Sequence, residues 1–112
     1  MPEENEFYKR LILADGTVLN NCECGYYEKT LWCYINKDIP LLSVFQYFSD
    51  IDKYNMIIFE FGTDSVAKRI TYTGFDEFKT LDITEDNYAV RLTGPKIDKE
   101  EENIFGSSEG GE

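Results

Sequence analysis

Three cysteines, Cys22, Cys24 and Cys33, come nearest to a reactive cluster in this chain. If Thr17–Cys24 forms a strand, Cys22 and Cys24 share one face and Glu23 takes the other. Cys33 on the next strand then lies opposite them. Three thiolates in one patch would attract a soft metal. A structural zinc site wants four ligands, usually with Cys-x2–4-Cys spacing, and here the fourth is missing. The three are therefore read as small apolar residues of a core. Neither a metal nor a cofactor is expected.

Carboxylates are the other candidates. Asp50/Asp52, Asp76/Glu77, Glu85/Asp86 and Glu100–Glu102 all form close pairs or runs. Acid–base catalysis needs one carboxyl desolvated beside one left ionised. These pairs fall in expected turns and tails, where water keeps both members ionised. Asp50-Ile51-Asp52 with Asn55 lacks the glycine and the distal glutamate of a calcium loop. The chain has no histidine, which removes the usual general base, nucleophile activator and metal ligand together. No glycine-rich phosphate loop opens a helix. The expected class is a non-catalytic protein.

The net charge is -11, from 22 acids and 11 bases. Residues 1–6 hold Glu3, Glu4 and Glu6 without a base, and residues 97–112 hold six acids against Lys99 alone. Between Phe7 and Lys96 there remain 13 acids and 10 bases, a nearly balanced body. Net negative charge repels nucleic acid and anionic membranes, so no direct nucleic-acid or membrane contact is expected and the partner is a protein. No apolar run approaches the ~20 residues of a membrane span. The acidic start is the reverse of a signal peptide. An odd cysteine count without such a signal reads as reduced thiols in the cytoplasm.

The elements that must position these residues are mostly strands. FYKRLIL alternates, with Phe7, Lys9, Leu11 and Leu13 on one side and Tyr8, Arg10 and Ile12 on the other. Asp15-Gly16 signals a hairpin with a type I′ turn, and Thr17–Cys24 returns. Gly25–Lys29 reads as a loop. TLWCYI is a third strand, rich in the aromatic and β-branched residues that suit a pleated surface. Its Leu31, Cys33 and Ile35 face one way and Trp32 and Tyr34 the other. Exposed Trp and Tyr are typical anchors of protein interfaces. With the first face packed under a helix, Trp32 and Tyr34, beside Tyr26 and Tyr27, become candidate contacts.

Asp38 then offers an N-cap and Pro40 suits a first turn. Leu41, Leu42, Val44, Phe45 and Phe48 recur at helical spacing, and the helix should end near Ser49–Asp52 after about ten residues, too short to stand without a sheet beneath it. MIIFEF places Ile57, Phe59 and Phe61 opposite Met56, Ile58 and Glu60. Strands over 67–73, 75–83 and 88–93 complete the body. The expected fold is α+β: a mainly antiparallel sheet of about seven strands, ordered β-β-β-α-β-β-β-β, with one short helix on one face. One domain spans residues 7–96. Residues 1–6 are an acidic extension and residues 97–112 a solvated, disordered acidic tail.

The stretches Leu13–Thr17, Asn21–Gly25, Leu31–Ile35, Phe48–Asp50 and Tyr72–Phe75 give the body a texture. It resembles small acidic accessory proteins of phages and prophages of Gram-positive bacteria. That resemblance implies a role without catalysis inside the bacterial host cell. One such role is that of anti-CRISPR-like inhibitors, which occupy the basic nucleic-acid site of a defence nuclease with carboxylates. Asp50, Asp52, Asp64, Asp76, Glu77, Glu85 and Asp86 would be the mimicking groups. The alternative is a virion or assembly component, a homo-oligomer joined through edge strands and the aromatic face.

Overall fold

A computed structural model describes residues 7–63 and 66–104. Among them the chain runs β1 (Tyr8–Leu13), β2 (Val18–Asn20), β3 (Glu23–Tyr27), β4 (Thr30–Asn36), α1 (Leu41–Tyr47), α2 (Ile51–Tyr54), β5 (Met56–Gly62), β6 (Ala67–Thr73), β7 (Glu77–Ile83), β8 (Asn87–Thr93) and β9 (Asp98–Asn103). All strand pairs are antiparallel. They form a five-stranded sheet, β2-β1-β5-β6-β9, and a four-stranded sheet, β3-β4-β8-β7. The fold is thus α+β and mainly β. No helix among the described residues is long and apolar enough to cross a membrane.

The alternating strands bury one face each, and both sheets share one core. Leu11, Leu13, Leu19, Ile57 and Tyr72 enter it from the five-stranded sheet, and Leu31, Cys33, Ile35, Val90 and Leu92 from the four-stranded sheet. Val44, Phe48 and Tyr54 of the helical segment and Phe75 join them. Burial of such side chains, at about 1.5–3 kcal/mol each, is the main driving force for the fold.

Local chemistry explains where the strands break. The expected single strand over 17–24 is two, because Asn21 takes a left-handed φ of 59°. Asn tolerates that conformation better than most residues. The kink carries the chain from the five-stranded sheet into the four-stranded one. The loop expected at Gly25–Lys29 is instead the end of β3 and a tight turn. Glu28 and Lys29 both have positive φ, 52° and 62°, the signature of a two-residue type I′ turn. Conversely, at the Asp15-Gly16 hairpin only Gly16 has positive φ, 94°. The Gly16 amide donates to the Leu13 carbonyl and the Leu13 amide to Thr17, both at 2.9 Å, so the loop has three residues, a type I turn closed by a glycine bulge.

The single ten-residue helix resolves into two short ones. Asp38 is not its N-cap: α1 starts after Pro40 with no side-chain cap. The Asp38 amide is instead held by the Asn36 side chain at 2.8 Å. Asp50 is the capping residue, of α2, accepting from the Asp52 amide at 3.0 Å. Seven residues present only a narrow ridge to the core, Val44 in α1 and Phe48 just after it. Leu42 and Phe45, expected in the buried stripe, are 70% and 45% exposed.

The boundary at residue 96 also moves. Asp98–Asn103 is not tail but β9, paired along its whole length with β6. Its acids are tolerated because it is an outer edge, exposed throughout, where charge discourages pairing with another chain. Two bases of β6 face it: Arg69 reaches Glu102 at 2.8 Å and Lys68 reaches Glu101 at 3.8 Å. Residues 1–6 and 105–112 lie outside the described residues.

Candidate functional site

The period of two in β4 decides the site. Leu31, Cys33 and Ile35 are fully buried, so Trp32 and Tyr34 must stand on the outer face of the four-stranded sheet. Register places their neighbours. Trp32 lies between Gly25 of β3 and Arg91 of β8; Tyr34 lies between Glu23 and Ala89. The Arg91 guanidinium sits over the indole, 4.8 Å from the ring centroid, a cation–π contact that holds the ring upright. The Nε of Arg91 is buried there without a hydrogen-bond partner.

On the other side of the indole the surface falls away. Gly25 has no side chain, and a Cβ placed on it would meet nothing within 4 Å. The result is an open cleft of about 300 Å³ with Gly25 as its floor and Tyr27, Trp32 and Tyr34 as its walls. Tyr26 borders it, but pairs with Leu31 on the inner face, and its ring lies against Tyr72. Tyr27 is two-thirds exposed. Past Tyr34 the surface continues into a polar well of about 210 Å³, which the same tyrosine shares with Lys9, Glu23, Asn36, Asp86 and Asn87. Lys9 and Glu23 are paired across its mouth at 2.9 Å. The two hollows share Tyr34 as a lining residue, one aromatic and one polar.

Of the seven carboxylates named from the sequence, the six among the described residues do not form one surface. Asp50, Asp76 and Glu77 gather near Tyr54. Burial raises the pKa of that phenol, a hydrogen bond with the Phe78 backbone opposes the rise, and these three charges add to it. Asp52 is exposed at the start of α2. Glu85 and Asp86 lie in the β7–β8 turn, which the Thr84 hydroxyl organises through the amides of Asp86 and Asn87 at 3.3 and 3.0 Å. The full length of β7 separates them from Glu77, roughly 25 Å of extended chain. Among the six described carboxylates, Asp86 alone lines the polar well. Asp64 lies outside the described residues.

The cysteines face inward. Cys24 and Cys33 are direct cross-strand partners. Cys22 donates to the Asn20 carbonyl at 3.4 Å and accepts from the Asn36 amide at 3.3 Å. Burial raises the pKa of all three, that of Cys33 most strongly, with the neighbouring cysteines adding to it. They are held as protonated thiols, neither nucleophiles nor ready ligands. Among the described residues no group of three or more Cys, Asp or Glu is arranged to hold a metal ion.

Two features escaped the sequence reading. Gly25 looked like a loop residue, and only the β3–β4 register sets it beside Trp32. Arg91 carried no signal at all, because its partner is an indole 59 positions away in the chain. Comparison with known proteins adds no assignment: no protein family, no curated protein and no solved structure matches this chain.

Proposed function

We propose that this protein acts without catalysis, by binding another protein through the outer face of its four-stranded sheet. The observation that carries this reading is Trp32, braced on one side by Arg91 and open on the other above Gly25. Trp, Tyr and Arg are the residues most enriched among the few that dominate binding energy at interfaces. An aromatic ring already held upright loses little rotamer freedom when a partner closes over it. The protonated thiols and the lack of histidine support a role in which no substrate is transformed.

In the setting that the phage resemblance implies, the protein works in the cytoplasm of the bacterial host. Its partner is a defence nuclease, and binding inhibits it. The division of acids between the two ends of β7 argues for a modified mechanism. The carboxylates steer the approach to a basic effector, a long-range and salt-dependent effect. The aromatic face supplies the contact. A second reading, subunit assembly in a virion, draws on the β7 edge of the four-stranded sheet, where Ile83 is 62% exposed.

Capture from a bacterial lysate, using the immobilised protein and its Trp32→Ala and Asp50→Asn/Asp76→Asn/Glu77→Gln variants, tests this. Retention should be lost with Trp32→Ala at both about 0.1 M and about 0.5 M salt. The acid variant should lose it only in part and mainly at low salt. Loss with the acid variant alone would restore electrostatic mimicry as the mechanism. Light scattering that shows a ring or polymer would favour assembly instead.

A further inference from the structure

We infer that the aromatic cleft and the polar well form one composite site for an extended basic peptide segment. A proline or other apolar side chain enters above Gly25, and a lysine or arginine two residues away enters the well beside Glu23 and Asp86. This rests on the protein-binding reading above and names the chemistry of the partner.

Spacing comes first. Gly25 and Glu23 are two residues apart on β3, so the cleft floor and the acid of the well are about 6.5–7 Å apart. Side chains i and i+2 of an extended ligand laid over this face repeat at the same distance. A ligand along β3 therefore reaches both hollows without bending.

The chemistry of each hollow selects its occupant. The cleft offers ring faces and a bare backbone floor, a match for a flat apolar group, and proline brings a preformed extended backbone at low entropic cost. A second cation above the same indole is disfavoured, because Arg91 already occupies the opposite ring face. The well is different. Its Glu23 and Asp86 carboxylates exceed the single charge of Lys9, and Asn36, Asn87 and Tyr34 complete its lining. A long cationic side chain can bond there while its stem passes over Tyr34. The local charge favours a basic segment over an acidic one at the well, where Glu23 and Asp86 face Lys9 alone.

Lys9 is an internal competitor. It occupies Glu23 at 2.9 Å in the free protein, and a ligand cation must share or displace it. This gives the site a sign that a general apolar surface lacks.

The test is selection of a displayed library of random linear peptides, about twelve residues long and so able to span both hollows, followed by anisotropy titration of a labelled selected peptide. Enrichment of Lys or Arg two positions from a proline or apolar residue is expected. Gly25→Val is the decisive variant. Its Cβ meets nothing within 4 Å and valine suits a strand better than glycine, so its thermal midpoint should equal or exceed that of the parent while peptide affinity falls about thirtyfold or more. Asp86→Asn should weaken binding, and Lys9→Ala should tighten it roughly twofold to threefold, the value of an exposed ion pair. Selected peptides without a basic residue at that spacing, unchanged affinity in Gly25→Val, or weaker binding in Lys9→Ala would each overturn the inference. If Trp32→Ala still abolishes capture from lysate, such a result leaves the protein-binding reading standing. Binding of neutral oligosaccharides to this face in place of basic peptides would also overturn it.

Discussion

On the outer face of the five-stranded sheet the charges of the central row are matched to one another, whereas on the four-stranded sheet the central arginine has an indole instead. The first row runs Arg10, Glu60, Arg69, Glu102, in direct register across β1, β5, β6 and β9. Glu60 is only 3% exposed although it points outward, because Arg10 and Arg69 close over it at 2.8 Å from either side. Burial alone would raise its pKa, but the two guanidinium groups, by hydrogen bond and by charge, hold it below the ordinary value of 4.5. Arg69 continues the row to Glu102 at 2.8 Å. On the other sheet the equivalent central line is Gly25, Trp32, Arg91, Thr80. It contains one charge and no counter-charge. The first face uses its polar groups to hold itself together, and the second, the face proposed to bind, leaves its central arginine without a counter-charge.

The strongest way to break this comparison is to strip Glu60 of both bases. Arg10→Met with Arg69→Met leaves a buried carboxylate without a counter-charge, and should cost about 3–5 kcal/mol in urea unfolding. Binding at the four-stranded face should be unchanged at temperatures where the variant is folded. A loss below about 1 kcal/mol would show that the row behaves like an ordinary surface salt bridge.

Truncation after Lys96 removes β9, Glu102 and Ile97, which packs on the core. The thermal midpoint should fall by more than about 5 °C, since ~1 kcal/mol corresponds to about 4–8 °C in a domain of this size. An unchanged midpoint would return residues 98–103 to the status of a solvated tail.

A pH series sharpens the same contrast. The folded pKa of Glu60 lies below its unfolded value, so its ionised form stabilises the protein above pH 4.5. That contribution is lost as the pH falls through the folded value. Glu60→Gln should therefore be less stable than the parent by about 1–3 kcal/mol at neutral pH, and the gap should close in acid. A gap independent of pH would mean that the hydrogen bonds, not the charge, hold the row. The smallest effect is expected at Asp50. Asp50→Ala removes the α2 cap at a cost of about 1 kcal/mol, and Asp50→Asn, which still caps, should cost a few tenths.

Much of the fold was legible because it rests on local period. The alternation in FYKRLIL and TLWCYI correctly assigned inner and outer faces, including Trp32 and Tyr34 outward. Failures came where the decisive contact is distant in sequence. Glu28-Lys29 makes a type I′ turn without the Asn-Gly signal, because the β3–β4 pairing on either side imposes it. DKEEEN reads as tail by composition and is a strand because β6 presents Lys68 and Arg69 to it. The carboxylates were visible as pairs in sequence, but their distribution over the surface was not.

By itself the sequence determined composition, charge and the face on which each strand residue lies, since side-chain alternation is a property of the backbone. Tertiary structure alone decided that the strands divide into two sheets, that Glu60 is buried between two arginines, and that Gly25 opens a cleft beside Trp32. Each of these depends on cross-strand register. Register is set by which apolar faces bury against each other over the whole molecule, and no local window of residues contains it.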